Sequence, residues 1–179
     1  PPPPHKSSRR QRQMCIRDMY DLMHNINGRG TFLTSKACIP HLLKSDNPHI
    51  LNISPPLDMN PIWFQGHVAY TMAKYNMSLC VLGMAAEYKG QIAVNALWPR
   101  TAIKTAAVKN VLGGDEMMKK SRDPQIMADA AHIILNKDKD KFSGNFVLDD
   151  SLLAEHGETD FSKYADYPFA ELIPDFFVP

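Results

Sequence analysis

Three short apolar segments, separated by long segments of helical character, constrain the fold more than any other feature of the sequence. They are residues 49–54, 92–97 and 146–148, each following a proline or glycine at a distance of one or two residues. Their apolar residues are nearly continuous instead of alternating with polar ones, which is typical of strands buried on both faces of a parallel sheet. We therefore predict three buried, parallel strands.

The segments around these strands have the features of helices. Residues 20–43 carry apolar side chains at helical spacing, and residues 68–88 contain one glycine and no proline. Residues 124–135 follow Asp123, which suits an N-cap, and begin with a proline. The order α-β-α-β-α-β predicts an α/β fold with helices on both faces of the sheet. Because a doubly wound, Rossmann-like domain usually has about six strands, three strands predict one half of such a domain.

The chain divides into three parts by composition. Residues 1–18 contain five basic residues, one acid and four consecutive prolines without periodicity, so we expect either a disordered segment or an artefactual head. Residues 19–150 hold the predicted strands and helices and form the partial domain. Residues 151–179 are rich in aromatic side chains, and we expect this C-terminal extension to pack on the domain.

Composition excludes several classes of function. The 179 residues are 44% hydrophobic and contain no apolar run of the ~20 residues that a membrane span requires. Residues 19–179 hold 15 basic and 18 acidic residues, so nothing in them suggests a nucleic-acid partner. Three scattered cysteines and histidines without ligand spacing predict neither a metal site nor a disulfide framework. We expect an intracellular location, and cytoplasm, mitochondrion and peroxisome fit the sequence equally.

The pair Tyr70 and Lys74 is the strongest candidate for chemistry. Residues four apart lie on one face of a helix, so the ammonium can sit beside the phenol. A tyrosine with its ordinary pKa near ~10 is a poor acid/base catalyst at neutral pH, and a nearby positive charge is expected to lower that pKa. The same spacing also arises in ordinary surface pairs, so its structural context decides between the two readings.

That context resembles the short-chain dehydrogenase/reductase superfamily. Tyr-x-x-x-Lys lies between the first two predicted strands, whose ends read Asn52-Ile53-Ser54 and Val94-Asn95, with Pro99 beyond the second. The stretch 27–33 reads Asn-x-x-Gly-Thr-Phe-Leu. The match covers about residues 19–150, and several stretches look like the hydroxysteroid dehydrogenase-like branch, some of whose members carry a lipid-binding domain. The resemblance implies an NAD(P)-dependent oxidoreductase that interconverts an alcohol and a carbonyl on a lipid-like or other hydrophobic substrate.

The resemblance also implies roles for individual residues. Tyr70 would be the general acid/base, and Lys74 would lower the pKa of Tyr70 and hold the nicotinamide ribose. Asn27 would anchor a water that relays protons to Lys74. Pro99 and Thr101 would line the nicotinamide pocket.

Ser54 departs from the pattern of the superfamily. The serine that orients the substrate carbonyl would align with Pro55, one residue later than Ser54. A shift of one residue along a strand turns a side chain to the opposite face. Ser54 therefore either serves as the catalytic serine after a break in register at Pro55-Pro56, or caps the following loop.

The phosphate-binding part of such an enzyme is not found in the sequence. The Gly-x-x-x-Gly-x-Gly turn of the superfamily does not occur in these 179 residues. We expect the cofactor to be NADP or NAD, with NADP favoured by the resemblance alone, and we expect this chain to be inactive by itself. The helices at 20–43 and 68–88 are expected to support a homo-oligomer. The alternative is a non-catalytic, truncated paralogue that acts as an oligomerisation or interaction module.

Overall fold

A sheet of three parallel strands forms the centre of the computed structural model, which describes residues 17–112 and 114–178. The strands are β1 His49–Ile53, β2 Ala93–Trp98 and β3 Phe146–Leu148, and β2 lies between the other two. All six residues of β2 are buried. The predicted α/β class with three parallel strands is confirmed.

Six α-helices surround this sheet in the described part of the chain. They are α1 Arg17–His24, α2 Gly30–Leu42, α3 Val68–Glu87, α4 Gly114–Lys119, α5 Gln125–Leu135 and α6 Asp149–Glu155. Two π-helical segments, Asn25–Arg29 and Val108–Leu112, and three 3-10 turns, Pro61–Trp63, Ser162–Tyr164 and Phe169–Glu171, connect them.

The two faces of the sheet pack against different helices. On one face, Val94 and Ala96 of β2 contact a buried cluster that includes Val81 of α3. On the other face, Leu97 of β2 packs with Ile126 and neighbouring residues of α5. This alternation follows from the two-residue period of a strand, and it explains why the strand sequences are mostly apolar on both faces.

The predicted helix at 20–43 is continuous but not uniform. The helical segment already begins at Arg17, and the π-helical segment Asn25–Arg29 separates α1 from α2. Gly28 is buried in this segment next to Asn76 of α3, so the absence of a side chain allows the two helices to approach closely. The expectation for the first 18 residues falls largely outside the described residues, which begin at Arg17.

The region before α5 contains two short helical segments. Residues 108–112 are π-helical, and Gly114–Lys119 form α4. Ser121 and Arg122 are then buried, and the backbone N–H of Arg122 donates to the carbonyl oxygen of Ala102 at 2.8 Å. The neighbouring glycine at 113 lies outside the described residues. The end of this region is thus tied to the segment after β2.

The last described residues return to the carboxyl end of β2. Pro174 forms an antiparallel bridge with Thr101, and the backbone N–H of Asp175 donates to the carbonyl oxygen of Arg100 at 2.9 Å. Phe177 is fully buried with a φ of 74°, a left-handed conformation that is unusual for a residue with a side chain. The buried ring and the hydrogen bonds together hold this segment, residues 174–178, which we call the tail.

Replacing Gly28 by alanine tests the close approach of the π-helical segment to α3. The new Cβ would lie 2.4 Å from Nδ2 and 3.0 Å from Cβ of Asn76, so one of the helices must move. We expect Gly28→Ala to lower the free energy of unfolding by about 1–3 kcal/mol, measured by urea denaturation. The matched control is Gly83→Ala in α3, where no atom lies within 4 Å of the new Cβ and a gain of about 0.5–1 kcal/mol is expected. Equal effects of the two substitutions would contradict this account.

Candidate functional site

A cleft of about 850 Å³ opens at the carboxyl ends of β1 and β2. Ile53 ends β1, and Trp98 and Pro99 lie at the end of β2. Ligands of open α/β sheets bind at this edge. Most of the lining is apolar, and its side chains with polar or ionisable groups include His67, Tyr70, Lys74, Thr105 and Asp175.

Helix α3 positions the two central candidates, Tyr70 and Lys74. A run of 20 residues without proline supports one unbroken helix, so these side chains emerge one turn apart on the same face. Both line the cleft. The Nζ atom of Lys74 lies 5.4 Å from the centre of the Trp98 ring, where its charge interacts with the π electrons. The predicted proximity of Tyr70, Lys74 and Pro99 is therefore seen in the cleft.

In this structure the pKa of Tyr70 lies above its ordinary value, so burial outweighs any effect of Lys74 on it. Burial raises the pKa of Tyr70 to about 12, and the negative charge of Asp175 raises it further. Burial also lowers the pKa of Lys74, although Asp175 opposes this effect. The physical reason is that an apolar surrounding disfavours both charged forms. At neutral pH the phenol of Tyr70 is therefore protonated.

Asp175 is the ionisable lining residue that the sequence did not single out. Burial raises its pKa to about 6; the N–H of Phe176 and the positive charge of Lys74 act in the opposite direction, and Asp149 acts in the same direction as burial. The N–H of Phe176 donates to its Oδ1 atom at 2.7 Å. A carboxylate between proline and two phenylalanines in an aromatic tail was the only available signal, and its position depends on the chain returning to β2.

Aromatic rings of the tail form the floor beneath Tyr70. The ring of Phe177 stacks on that of Tyr70 with centres 6.0 Å apart and planes 15° apart. Phe177 also contacts Tyr75 and Trp98, and Phe176 lies edge-on to Trp63. This cluster excludes water from one side of Tyr70, which accounts for much of its burial.

Asn27 lies in the π-helical segment and outside the cleft lining. Its Nδ2 atom donates to the carbonyl oxygen of Met23 at 2.8 Å, and Met23 itself lines the cleft. π-helical turns are frequent at functional sites, because they expose backbone groups that a regular helix would use. Asn27 therefore does not line the cleft itself but is hydrogen-bonded to Met23, which does.

Ser54 and Thr101 are buried and do not appear in the lining of the cleft. Their hydroxyl oxygens have no hydrogen-bond partner among the described residues. Ile53 contributes to the lining where Ser54 was predicted to act, and Thr105 contributes where Thr101 was predicted. An unpaired buried hydroxyl group is energetically costly. Ser54 and Thr101 can therefore each still form a hydrogen bond beside the cleft.

Within the described ranges, no group of three or more His, Cys, Asp or Glu residues is arranged to hold a metal ion. A search of the same ranges finds no helix with the length and apolar character needed to cross a membrane.

Comparisons with known proteins agree with the sequence resemblance. A family model described as enoyl-(acyl carrier protein) reductase matches residues 8–133. Hydroxysteroid dehydrogenase-like protein 2 of Danio rerio is 61% identical over 158 residues, which are 88% of this chain and 38% of that protein. The human protein of the same name is 58% identical over the same share of this chain. The chain thus spans less than two fifths of the length of these relatives.

Solved structures share the fold. A short-chain dehydrogenase from Mycobacterium thermoresistibile is 48% identical, with a TM-score of 0.83 over 92% of this chain and 58% of its own. The angucycline C-6 ketoreductase LanV, whose structure contains NADP, is 19% identical, with a TM-score of 0.61 over 76% of this chain and 55% of its own. At this low identity the second similarity concerns the fold alone.

Asp175 gives the stability of the chain a characteristic pH dependence. An acid whose pKa is higher in the folded state than in the unfolded state destabilises the fold as pH rises through the two values, here from about 4 to about 6. We expect Asp175→Asn to raise the free energy of unfolding by about 1–3 kcal/mol at pH 7 and to leave it nearly unchanged at pH 4. Urea denaturation at both pH values measures the difference.

Asp58→Asn is a control for which we expect the opposite pH dependence of stability. The pKa of Asp58 is lowered, because its carboxylate accepts hydrogen bonds from the Trp63 indole at 2.6 Å and from the N–H of Asn60. This substitution is expected to destabilise the protein at pH 7 more than at pH 3. An Asp175→Asn effect of the same size at pH 4 and pH 7 would show that the ionisation of Asp175 is not its cause.

Proposed function

Because the chain belongs to the short-chain dehydrogenase/reductase family, we propose that it forms the catalytic half of an NAD(P)-dependent oxidoreductase. The reaction interconverts an alcohol and a carbonyl on a lipid-like or other hydrophobic substrate. The observation that supports this most directly is the placement of Tyr70 and Lys74 together in the wall of a largely apolar cleft. An oxidoreductase is the class that the family indicates, while the substrate and the cofactor are proposals.

Tyr70 acts as the acid in the reductive direction. Its phenol, protonated at neutral pH, donates a hydrogen bond to the carbonyl oxygen and transfers its proton as negative charge develops there. In the oxidative direction the phenolate accepts the proton of the alcohol. Lys74, one turn away, stabilises that phenolate with its positive charge. The nicotinamide supplies or accepts the hydride at the substrate carbon when it is bound.

The residues around the cleft fit the nicotinamide end of such a cofactor. Lys74, Pro99 and Thr105 line the cleft, and the unpaired hydroxyl of Thr101 lies behind it. These groups can hold a ribose and a carboxamide. The diphosphate would be bound by a glycine-rich turn that these 179 residues do not contain. NADP is favoured over NAD by the resemblance alone.

Two further residues have supporting roles in this proposal. Asn27 would anchor a water on the proton path to Lys74. Its π-helical segment lies next to the cleft, because Asn27 is hydrogen-bonded to Met23. Ser54 would orient the substrate oxygen with its unpaired hydroxyl, which requires a local shift of the Pro55-Pro56 segment, because Ser54 is buried.

A hydrophobic substrate suits the lining of the cleft. The apolar side chains come from several separate elements of the chain, and they would bury the body of a ligand while Tyr70 contacts its oxygen. They include Met23, Ile53, Val108, Met117, Met127 and Phe176.

We also propose that the chain associates with a second copy of itself. Helix α3 exposes an apolar stripe formed by Val68, Met72, Leu79 and Leu82, which lie on one face at helical spacing. Exposed apolar stripes of this kind mark association surfaces. The same observation supports the second candidate function, a non-catalytic interaction module. The two functions differ in whether Tyr70 is required for turnover.

The catalytic assignment is tested in the longest natural form of the protein that contains this chain. We expect Tyr70→Phe to reduce kcat for carbonyl reduction by about 10²–10⁴-fold, because the proton donor is lost while the ring remains. Assays that follow the oxidation of NADPH measure the change in kcat. The control is Tyr75→Phe on the same helix, whose hydroxyl donates to the carbonyl oxygen of Asp58 at 2.5 Å and does not line the cleft.

Tyr75→Phe is expected to keep kcat within about threefold of the wild type, because its hydroxyl is remote from the substrate. Unchanged turnover in Tyr70→Phe would remove Tyr70 from the mechanism and favour the interaction-module reading.

The association surface is tested by placing a charge in the stripe of α3. We expect Leu79→Glu to shift the protein from dimer or larger assembly towards monomer, because a buried, unpaired carboxylate at an interface is strongly unfavourable. Sedimentation equilibrium measures the change. Leu135→Glu, at the exposed end of α5, is the control and should leave the assembly unchanged. A wild-type chain that is monomeric at high concentration would contradict the proposal.

A further inference from the structure

One basic and one acidic side chain line the cleft. Lys74 projects from α3 and Asp175 from the tail, and the remaining ionisable groups in the lining are Tyr70 and His67. Lys74 and Asp175 interact electrostatically, each favouring the charged form of the other. The charge of the ammonium is thus balanced within the described lining of the cleft.

The backbone holds Asp175 firmly in this position. Its own N–H donates to the carbonyl oxygen of Arg100, and its Oδ1 atom accepts the N–H of Phe176. The residues on either side are anchored as well, Pro174 by its bridge to Thr101 and Phe177 by full burial. The carboxylate is therefore held in the cleft wall.

We propose that Asp175 is a specificity-determining residue whose carboxylate balances Lys74 and excludes anionic ligands from the cleft, so that neutral alcohols and carbonyl compounds reach Tyr70. This inference rests on the proposed function and names the charge class of its substrate. Without Asp175, a lysine in an apolar cleft would attract fatty acids and other amphiphilic anions, whose alkyl chains suit the same lining. In a site of low dielectric constant a single charge acts strongly, because water screens it poorly.

The test is a binding measurement that does not depend on turnover. The chain contains two tryptophans, and both lie at this site: Trp98 lines the cleft and Trp63 contacts Phe176 of its lining. Intrinsic fluorescence therefore reports ligand binding to the cleft. The probes are 1-decanol and 1-decanesulfonate at pH 8, which share an alkyl chain and differ in charge. The full chain is used without cofactor.

The wild-type protein is expected to bind decanol at least tenfold more tightly than decanesulfonate. In Asp175→Asn the Kd for decanesulfonate should fall about tenfold, while the Kd for decanol changes less than about twofold. Asp175→Glu, which keeps the charge, should retain the wild-type preference. Adding Lys74→Met to Asp175→Asn should abolish the gain in sulfonate affinity, since no positive charge then remains beside the ligand. Circular dichroism confirms that each variant is folded.

The proposal is overturned if the wild type binds the sulfonate as tightly as the alcohol, or if Asp175→Asn changes both affinities by the same factor. A wild-type protein that binds neither probe overturns it as well. Failure of the catalytic proposal has a different signature, because unchanged turnover in Tyr70→Phe leaves these affinities unaffected. The wild-type comparison requires no substitution, so the test remains decisive even if a variant fails to fold.

Discussion

The burial of β2 on both faces is the constraint on which the rest of the described structure depends. All six of its residues are buried, and its two neighbouring strands and the helices α3 and α5 enclose it. A polar residue is tolerated there only when its hydrogen bonds are satisfied. Asn95 meets this requirement, because it donates to the carbonyl oxygen of Phe142 and accepts from the N–H of Asn145. The strand thereby fixes the loop before β3 and delivers Trp98 and Pro99 to the cleft.

The strands and long helices could be predicted because their signals are local. Periodicity and flanking proline or glycine residues placed β1, β2, β3 and α3 to within about two residues of their observed bounds. Helix α4 could not be predicted, since it is short and begins at a glycine. The π-helical segment at 25–29 was not predicted either.

The candidate site shows the same division between local and distant information. Helical spacing sufficed to bring Tyr70 beside Lys74 in one wall. Thr101 forms a bridge with Pro174, more than 70 residues away, and is buried instead of lining the cleft. Asp175 enters the cleft through the same return of the chain. Sequence separation of this size leaves no trace in local patterns, so neither residue could be placed beforehand.

The proton affinity of Tyr70 follows from the tail more than from its own helix. A neighbouring positive charge favours the phenolate, whereas burial disfavours it, and here burial against the rings of Phe176 and Phe177 is the larger effect. The carboxylate of Asp175 adds to the same effect. A phenol that retains its proton can donate it to the oxygen of a ligand. The motif alone specifies which groups meet, and the packing around it sets the protonation of Tyr70.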